Sequence, residues 1–149
     1  MSKAFPNSLT DMRQAGNCIA LGLDTAAVFH LMRVVEWGLR ALCKNLKVSE
    51  IKKGPIEYAT WDAILEKLPD VVDAKLRVMS RGPKKQKAQE FYHPTLKEIN
   101  GFKDAWRNHV MHVRREYMSK DAEAISAHVD RFMNLLANNG IRESFRRKT

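Results

Sequence analysis

Arg107 and His112 stand in the run Asp104 to Tyr117, DAWRNHVMHVRREY, with four residues between them. A guanidinium stays charged and grips a phosphate by paired hydrogen bonds, while an imidazole exchanges a proton near neutrality. Together they supply what attack of a ribose 2′-OH on its own phosphate requires: a base, and a cation for the developing negative charge. Such a cleavage uses no metal. One histidine serves poorly as base and acid at once, so a two-fold dimer packing this face on its own copy would bring two Arg–His pairs into one cleft. Met111, apolar among polar neighbours, fits that interface.

A helix must present these groups. Leu96, Ile99, Phe102, Trp106, Val110 and Val113 form a stripe that predicts a helix over about 95–113, its core direction near Trp106. At about 100° per residue, Arg107 lies about 100° to one side and His112 about 120° to the other. Asp104, Asn108, Met111 and Arg115 fall between them, opposite the core, on a face that is either solvated or a second organised surface framed by Arg107 and His112. Asp104, one turn before Arg107, is a partner for its guanidinium. Glu36, a carboxylate inside the apolar MRVVEWGL, lies at the rim of its own stripe or pairs with Arg107. His109 falls about 60° from the core direction, a boundary position where a bond to a carbonyl is expected. His109, His112 and Glu116 are helical neighbours, but without an HExxH pattern or a cysteine pair no metal is expected, nor any cofactor.

The chain has 149 residues, suited to one domain with a core at about 8–140 and a basic tail over 141–149. Its 26 Lys and Arg against 17 Asp and Glu give a net charge of +9, which favours polyanions such as RNA and equally serves solubility. Between Lys75 and Gln89 lie Lys75, Arg77, Arg81, Lys84, Lys85 and Lys87, with no acidic residue. Such a run is more often a solvated loop than a binding groove; beside a ribonuclease site, Arg81, Lys84, Lys85 and Lys87 become a candidate clamp on the RNA backbone, with Arg114 and Arg115 as nearer contacts. Trp37, Trp61 and Trp106 read as core anchors rather than as a platform for bases. Cys18 and Cys43 sit in apolar helical patterns, implying free thiols and a cytoplasmic setting. No apolar run approaches the ~18 residues of a membrane span, and the N-terminus lacks a secretory pattern.

The remaining elements are set by periodicity. Ser8 caps a first helix with Leu9, Met12, Ala15, Ile19 and Leu23 on its stripe. Asp24 caps a second, running to about Leu46, with Val28, Leu31, Met32, Val35, Leu39, Leu42 and Leu46 buried. Thr60 caps the short WDAILEKL, which Pro69 ends or kinks, and the residues after Pro69 can add another turn or two before Gly82-Pro83 breaks the helix. Pro94 opens the third long helix or kinks a longer one starting near Lys84. Ser119 caps the last, with Ala122, Ile125, Val129, Phe132 and Leu136 buried and Gly140 as its stop. No segment alternates convincingly with period two, so the fold is expected to be all-α, a four-helix up-and-down bundle with a short extra helix.

The segments FHLMRVVEWGLRAL, TWDAILEKL, FKDAWRNHVMHVRREY and AEAISAHVDRFMNLLA together resemble bacterial members of the HEPN superfamily, over most of the chain. That family's signature is an Arg followed by a polar residue and, four to six residues on, a His. Arg107, Asn108 and His112 fit it. The resemblance implies a dimeric, metal-independent RNA endonuclease, a toxin or phage-defence effector with an antitoxin or regulatory partner, leaving a cyclic phosphate and a 5′-hydroxyl. Arg107 and His112 would be catalytic and Asn108 would orient the site. Two positions depart from the pattern: His109 stands where Pro is frequent, and Arg114 stands where toxins paired with a nucleotidyltransferase carry Tyr. Tyr117 lies farther on and is not its equivalent, though it belongs to the same run. The alternative is a HEPN-type protein that binds RNA or nucleotide, or acts as a scaffold, without catalysis.

Overall fold

The computed structural model describes residues 3–52, 54–107, 109 and 116–143. The fold is all-α, with five α-helices among the described residues: α1 (Leu9–Ala20), α2 (Asp24–Asn45), α3 (Trp61–Arg77), α4 (Pro83–Phe102) and α5 (Ser119–Asn138). Two strands of two residues each, β1 (Glu50–Ile51) and β2 (Gly54–Pro55), pair antiparallel in the loop after α2. Periodicity over so short a pairing is invisible in sequence.

The whole stripe expected of α2 is buried, and Ala27, Val34, Gly38, Ala41 and Cys43 are buried as well. A helix apolar on so much of its circumference must be surrounded. Accordingly α2 packs on α1, on α5 and on α4. At Gly38 a Cβ would stand 2.8 Å from Met133 Sδ and 2.9 Å from Leu136 Cδ1, so the missing side chain sets how closely α5 approaches. α5 buries its full expected stripe and Met133 besides. Burial pushes the Cys43 thiol up to about 12, and both cysteines are free.

α3 is not a short insert. It continues through Pro69, which lies on the exposed side, where water can satisfy the carbonyl that the proline leaves without a donor. Pro94 likewise sits exposed within a helix that starts at Pro83, ahead of the 95–113 range. Gly82, at φ +145°, makes the turn between α3 and α4 in a conformation few L-residues adopt. Thr60 caps α3 as expected, its Oγ1 accepting from Ala63 N at 3.3 Å. Two other expected caps do different work. Ser8 Oγ donates to Phe5 O at 2.8 Å. Ser119 Oγ donates to Asp24 Oδ2 at 3.1 Å, tying α5 to α2, while Asp121 takes the Met118 N–H at 3.1 Å.

α1 turns only part of its expected stripe inward. Ala15 is buried as expected, but Leu9, Met12 and Ile19 are only half-buried and Leu23 is exposed, whereas Asp11, off the stripe, is buried. The start of the basic tail is tied down: Ile141 is buried, Glu143 N donates to Ala4 O at 2.8 Å, and Glu143 Oε2 accepts from Asn7 N at 2.8 Å. No described helix is long and apolar enough to cross a membrane.

Candidate functional site

Two contacts give α4 its direction along α2. Tyr92 OH donates to Asn45 Oδ1 at 3.4 Å near the end of α2. At the other end, Tyr117 OH donates to Trp106 O at 3.3 Å while Tyr117 N donates to Thr25 Oγ1 at 3.2 Å, beside the start of α2. α4 therefore runs back along α2, and the residues just beyond α4 pack against α2.

Those residues do not add a further α-helical turn. Lys103–Arg107 form a π-helical turn, closed by i→i+5 bonds. Such a turn holds one more residue than an α-turn, so the ~100° step of an α-helix does not hold within it. This corrects the expected geometry: Trp106, placed at the centre of the buried side, is only half-buried, with its ring 5.1 Å from Phe102 and 5.3 Å from His128. His128 Nε2 in turn meets Glu98 Oε2, so α5 steadies the end of α4.

Arg107, half-buried at the end of that turn, lies over the Trp61 ring with its Cζ 5.2 Å from the centroid. Among the described residues no carboxylate forms an ion pair with it. Neither expected partner does so. Asp104 is exposed, and Glu36 belongs to Arg40, whose Nη2 and Nε donate to Glu36 Oε1 at 2.6 and 3.2 Å. The i,i+4 spacing on α2 makes Arg40 the nearer cation. Lys103 takes Asp62, an exposed carboxylate held below its usual value by that hydrogen bond, with the Arg107 charge adding to it. His109 is half-buried, as its boundary position on the wheel suggests, and its Nδ1 has no hydrogen-bond partner among the described residues. Tyr117 is buried and braces the π turn through its hydroxyl. Asn108, His112, Arg114 and Arg115 lie outside the described residues.

The expected clamp lies elsewhere. Arg81, Lys84 and Lys87 are exposed, and Lys85 Nζ donates to Met79 O at 3.4 Å, all around the turn between α3 and α4. From Lys84 to the end of α4 at Phe102 is about 27 Å at 1.5 Å per residue. The run therefore sits at the opposite end of the α3–α4 hairpin from Arg107.

A second polar constellation carries no sequence motif. Asp11, 5 % exposed, accepts from Arg33 Nε at 2.8 Å and meets His30 Nδ1 at 3.0 Å with the same oxygen, Oδ1. Burial by itself raises the Asp11 carboxyl; the hydrogen bonds from Arg33 and His30 outweigh it and hold the group below its usual value. Arg33 then lines a cleft of ≈ 180 Å³ with Glu36, Trp37 and Arg40. The far wall is fixed, because Arg40 also donates to Ile56 O and, at 3.3 Å, to Ala59 O, in the segment leading into α3. The legible signal is spacing: His30, Arg33, Glu36, Trp37 and Arg40 recur every three or four residues as one polar stripe on an otherwise buried helix. Trp37, expected in the core with Trp61, is only half-buried and faces this cleft. Compared with family models, with curated proteins and with solved structures, the chain matches none.

Proposed function

We propose that the protein is a metal-independent RNA endonuclease of the HEPN type, a toxin or phage-defence effector that acts as a homodimer. The observation that carries this reading is Arg107: a π turn, a feature frequent at functional sites, brings it out half-buried on an aromatic face, with no carboxylate ion-paired to it among the described residues. A cation so held remains available for a phosphate. In the proposed reaction His112 takes the proton of a ribose 2′-OH and the 2′-oxygen attacks the adjacent phosphorus. The bond to the 5′-oxygen breaks, and that oxygen takes a proton from the protonated histidine of the second Arg–His pair, which the two-fold copy supplies. Arg107 N–H groups meet the non-bridging oxygens as charge grows on them. The products are a cyclic phosphate and a 5′-hydroxyl. Tyr117 and Trp61 are positioning residues for Arg107, and an antitoxin or regulatory protein would hold the activity in check.

The test is incubation of total RNA in EDTA with wild type, His112→Ala and Arg107→Lys. Loss of a general base should slow cleavage by at least about 100-fold. Lysine keeps the charge but loses the fork, so Arg107→Lys should also be slow. Identical RNA profiles for wild type and His112→Ala would remove the enzyme reading, and a monomer at micromolar concentration in sizing would remove the composite cleft. A second reading, RNA or nucleotide binding without catalysis, is favoured by the separate polar cleft on α2.

A further inference from the structure

We propose that the cleft on α2 is a strand-binding subsite in which the Arg33 guanidinium holds a phosphodiester of single-stranded RNA and the Trp37 ring carries the adjoining base. The choice of RNA rests on the proposed function; the subsite itself rests on the cleft.

Arg33 is held from one side only. Its Nε is bound by Asp11, and its two Nη atoms make no hydrogen bond among the described residues. Those atoms present paired N–H groups in one plane, the geometry that two non-bridging phosphate oxygens accept. Asp11 is too deeply buried to meet solvent, so its effect is to fix the near edge of the guanidinium. Glu36 would repel a phosphate, but its Oε1 takes two N–H groups of Arg40, and Arg40 is itself anchored on the carbonyls of Ile56 and Ala59. Trp37 lines the same space and is half-buried, leaving aromatic surface at the cleft.

Size decides between a free ligand and a strand. At ≈ 180 Å³ the cleft is smaller than the ~300–1,000 Å³ that encloses a small molecule, so it suits one phosphate and the edge of a nucleotide presented by a longer chain. Position agrees. The carbonyls that Arg40 grips belong to the segment that Thr60 caps into α3, and the first residue of α3 is Trp61, on which Arg107 lies. The cleft and Arg107 therefore flank the same helix start, and a strand seated on Arg33 is led toward Arg107.

The experiment measures binding, not cleavage: fluorescence anisotropy of a 2′-O-methyl octaribonucleotide, which lacks the attacking hydroxyl, on the full chain across a salt series, with AMP as a second probe. Arg33→Gln should weaken the octamer about ten-fold and reduce the salt slope by about 0.7, the value for one phosphate of a single strand. Trp37→Leu should weaken it about ten-fold with the slope unchanged. Arg33→Lys, which keeps the charge beside Asp11, should fall between wild type and Arg33→Gln, and Arg13→Gln on exposed α1 surface should bind as wild type. Octamer affinity within two-fold of wild type in both Arg33 variants overturns the subsite. So does AMP binding as tight as the octamer and equally dependent on Arg33, which would make the cleft a mononucleotide pocket. The two readings fail separately: an active enzyme with unchanged octamer binding in Arg33→Gln loses only the subsite, whereas weakened binding in a protein that His112→Ala does not affect loses only the catalysis.

Discussion

Asp11 shows how one carboxylate can organise a polar site inside an apolar interface. A buried charge is costly unless it is paired and hydrogen-bonded, and here one oxygen is met by Arg33 and by His30 across the α1–α2 contact. Because these bonds hold the carboxyl below the ordinary aspartate value of 3.8, the folded state binds that proton more weakly than the unfolded chain does. The stability this contributes is fully present above 3.8 and is lost as pH falls through the lower folded value. Asp11→Asn should therefore cost about 2 kcal/mol in urea unfolding at neutral pH, the scale of a hydrogen bond to a charged group. The gap between the two proteins should close as the pH is taken below that of an ordinary aspartate; a gap independent of pH would show that Asp11 fills space rather than carries charge. The same substitution loosens Arg33, so the acid-sensitive residue and the proposed phosphate contact are one device.

Among the elements, α2 was the most legible, because every residue of its stripe is buried and a stripe repeated over six turns leaves few alternatives. The α5 stripe was legible for the same reason. What stayed hidden has specific causes. Pro69 and Pro94 obscured the lengths of α3 and α4, since a proline on a solvent face costs a helix one bond without ending it. The π turn at Lys103–Arg107 broke the constant 100° step on which the faces of the Arg107 run were assigned, and no residue type announces such a turn. The cleft was hidden because Asp11 and Arg33 are 22 positions apart and belong to two helices whose contact the pattern of neither encodes. Gly38 offers a test of how tightly the central helix is held. In an open helical position alanine is better than glycine by about 0.5–1 kcal/mol, and Gly16 of α1, with nothing near its Cβ direction, should show that gain. At Gly38 the new methyl meets Met133 and Leu136, both fully buried, and overpacking of about 1–3 kcal/mol outweighs the gain. Thermal melts should thus move in opposite directions for Gly16→Ala and Gly38→Ala; a rise for both would mean that α5 gives way at no cost.

At the scale of the molecule, cations that the sequence reading joined in one site stand apart. Arg107 lies over Trp61, the first residue of α3, whereas Lys84, Lys85 and Lys87 stand at the far turn of the α3–α4 hairpin, about 27 Å along α4. A strand stacked at about 3.4 Å per nucleotide needs about eight nucleotides to reach from one to the other. Under the proposed function, the lysines assist binding of long RNA only. Replacing all three with glutamine should leave the affinity of a tetranucleotide unchanged, while a hexadecanucleotide should bind more weakly, with a salt slope smaller by about 2, the contribution of three single-strand phosphates. Equal weakening of both lengths would place the lysines beside the Arg107 site, against the geometry of the hairpin, and no change in either would reduce the run to solvated surface. A length threshold near eight nucleotides, lost when the lysines are neutralised, is the signature of a strand drawn along α4 from the basic turn to Arg107.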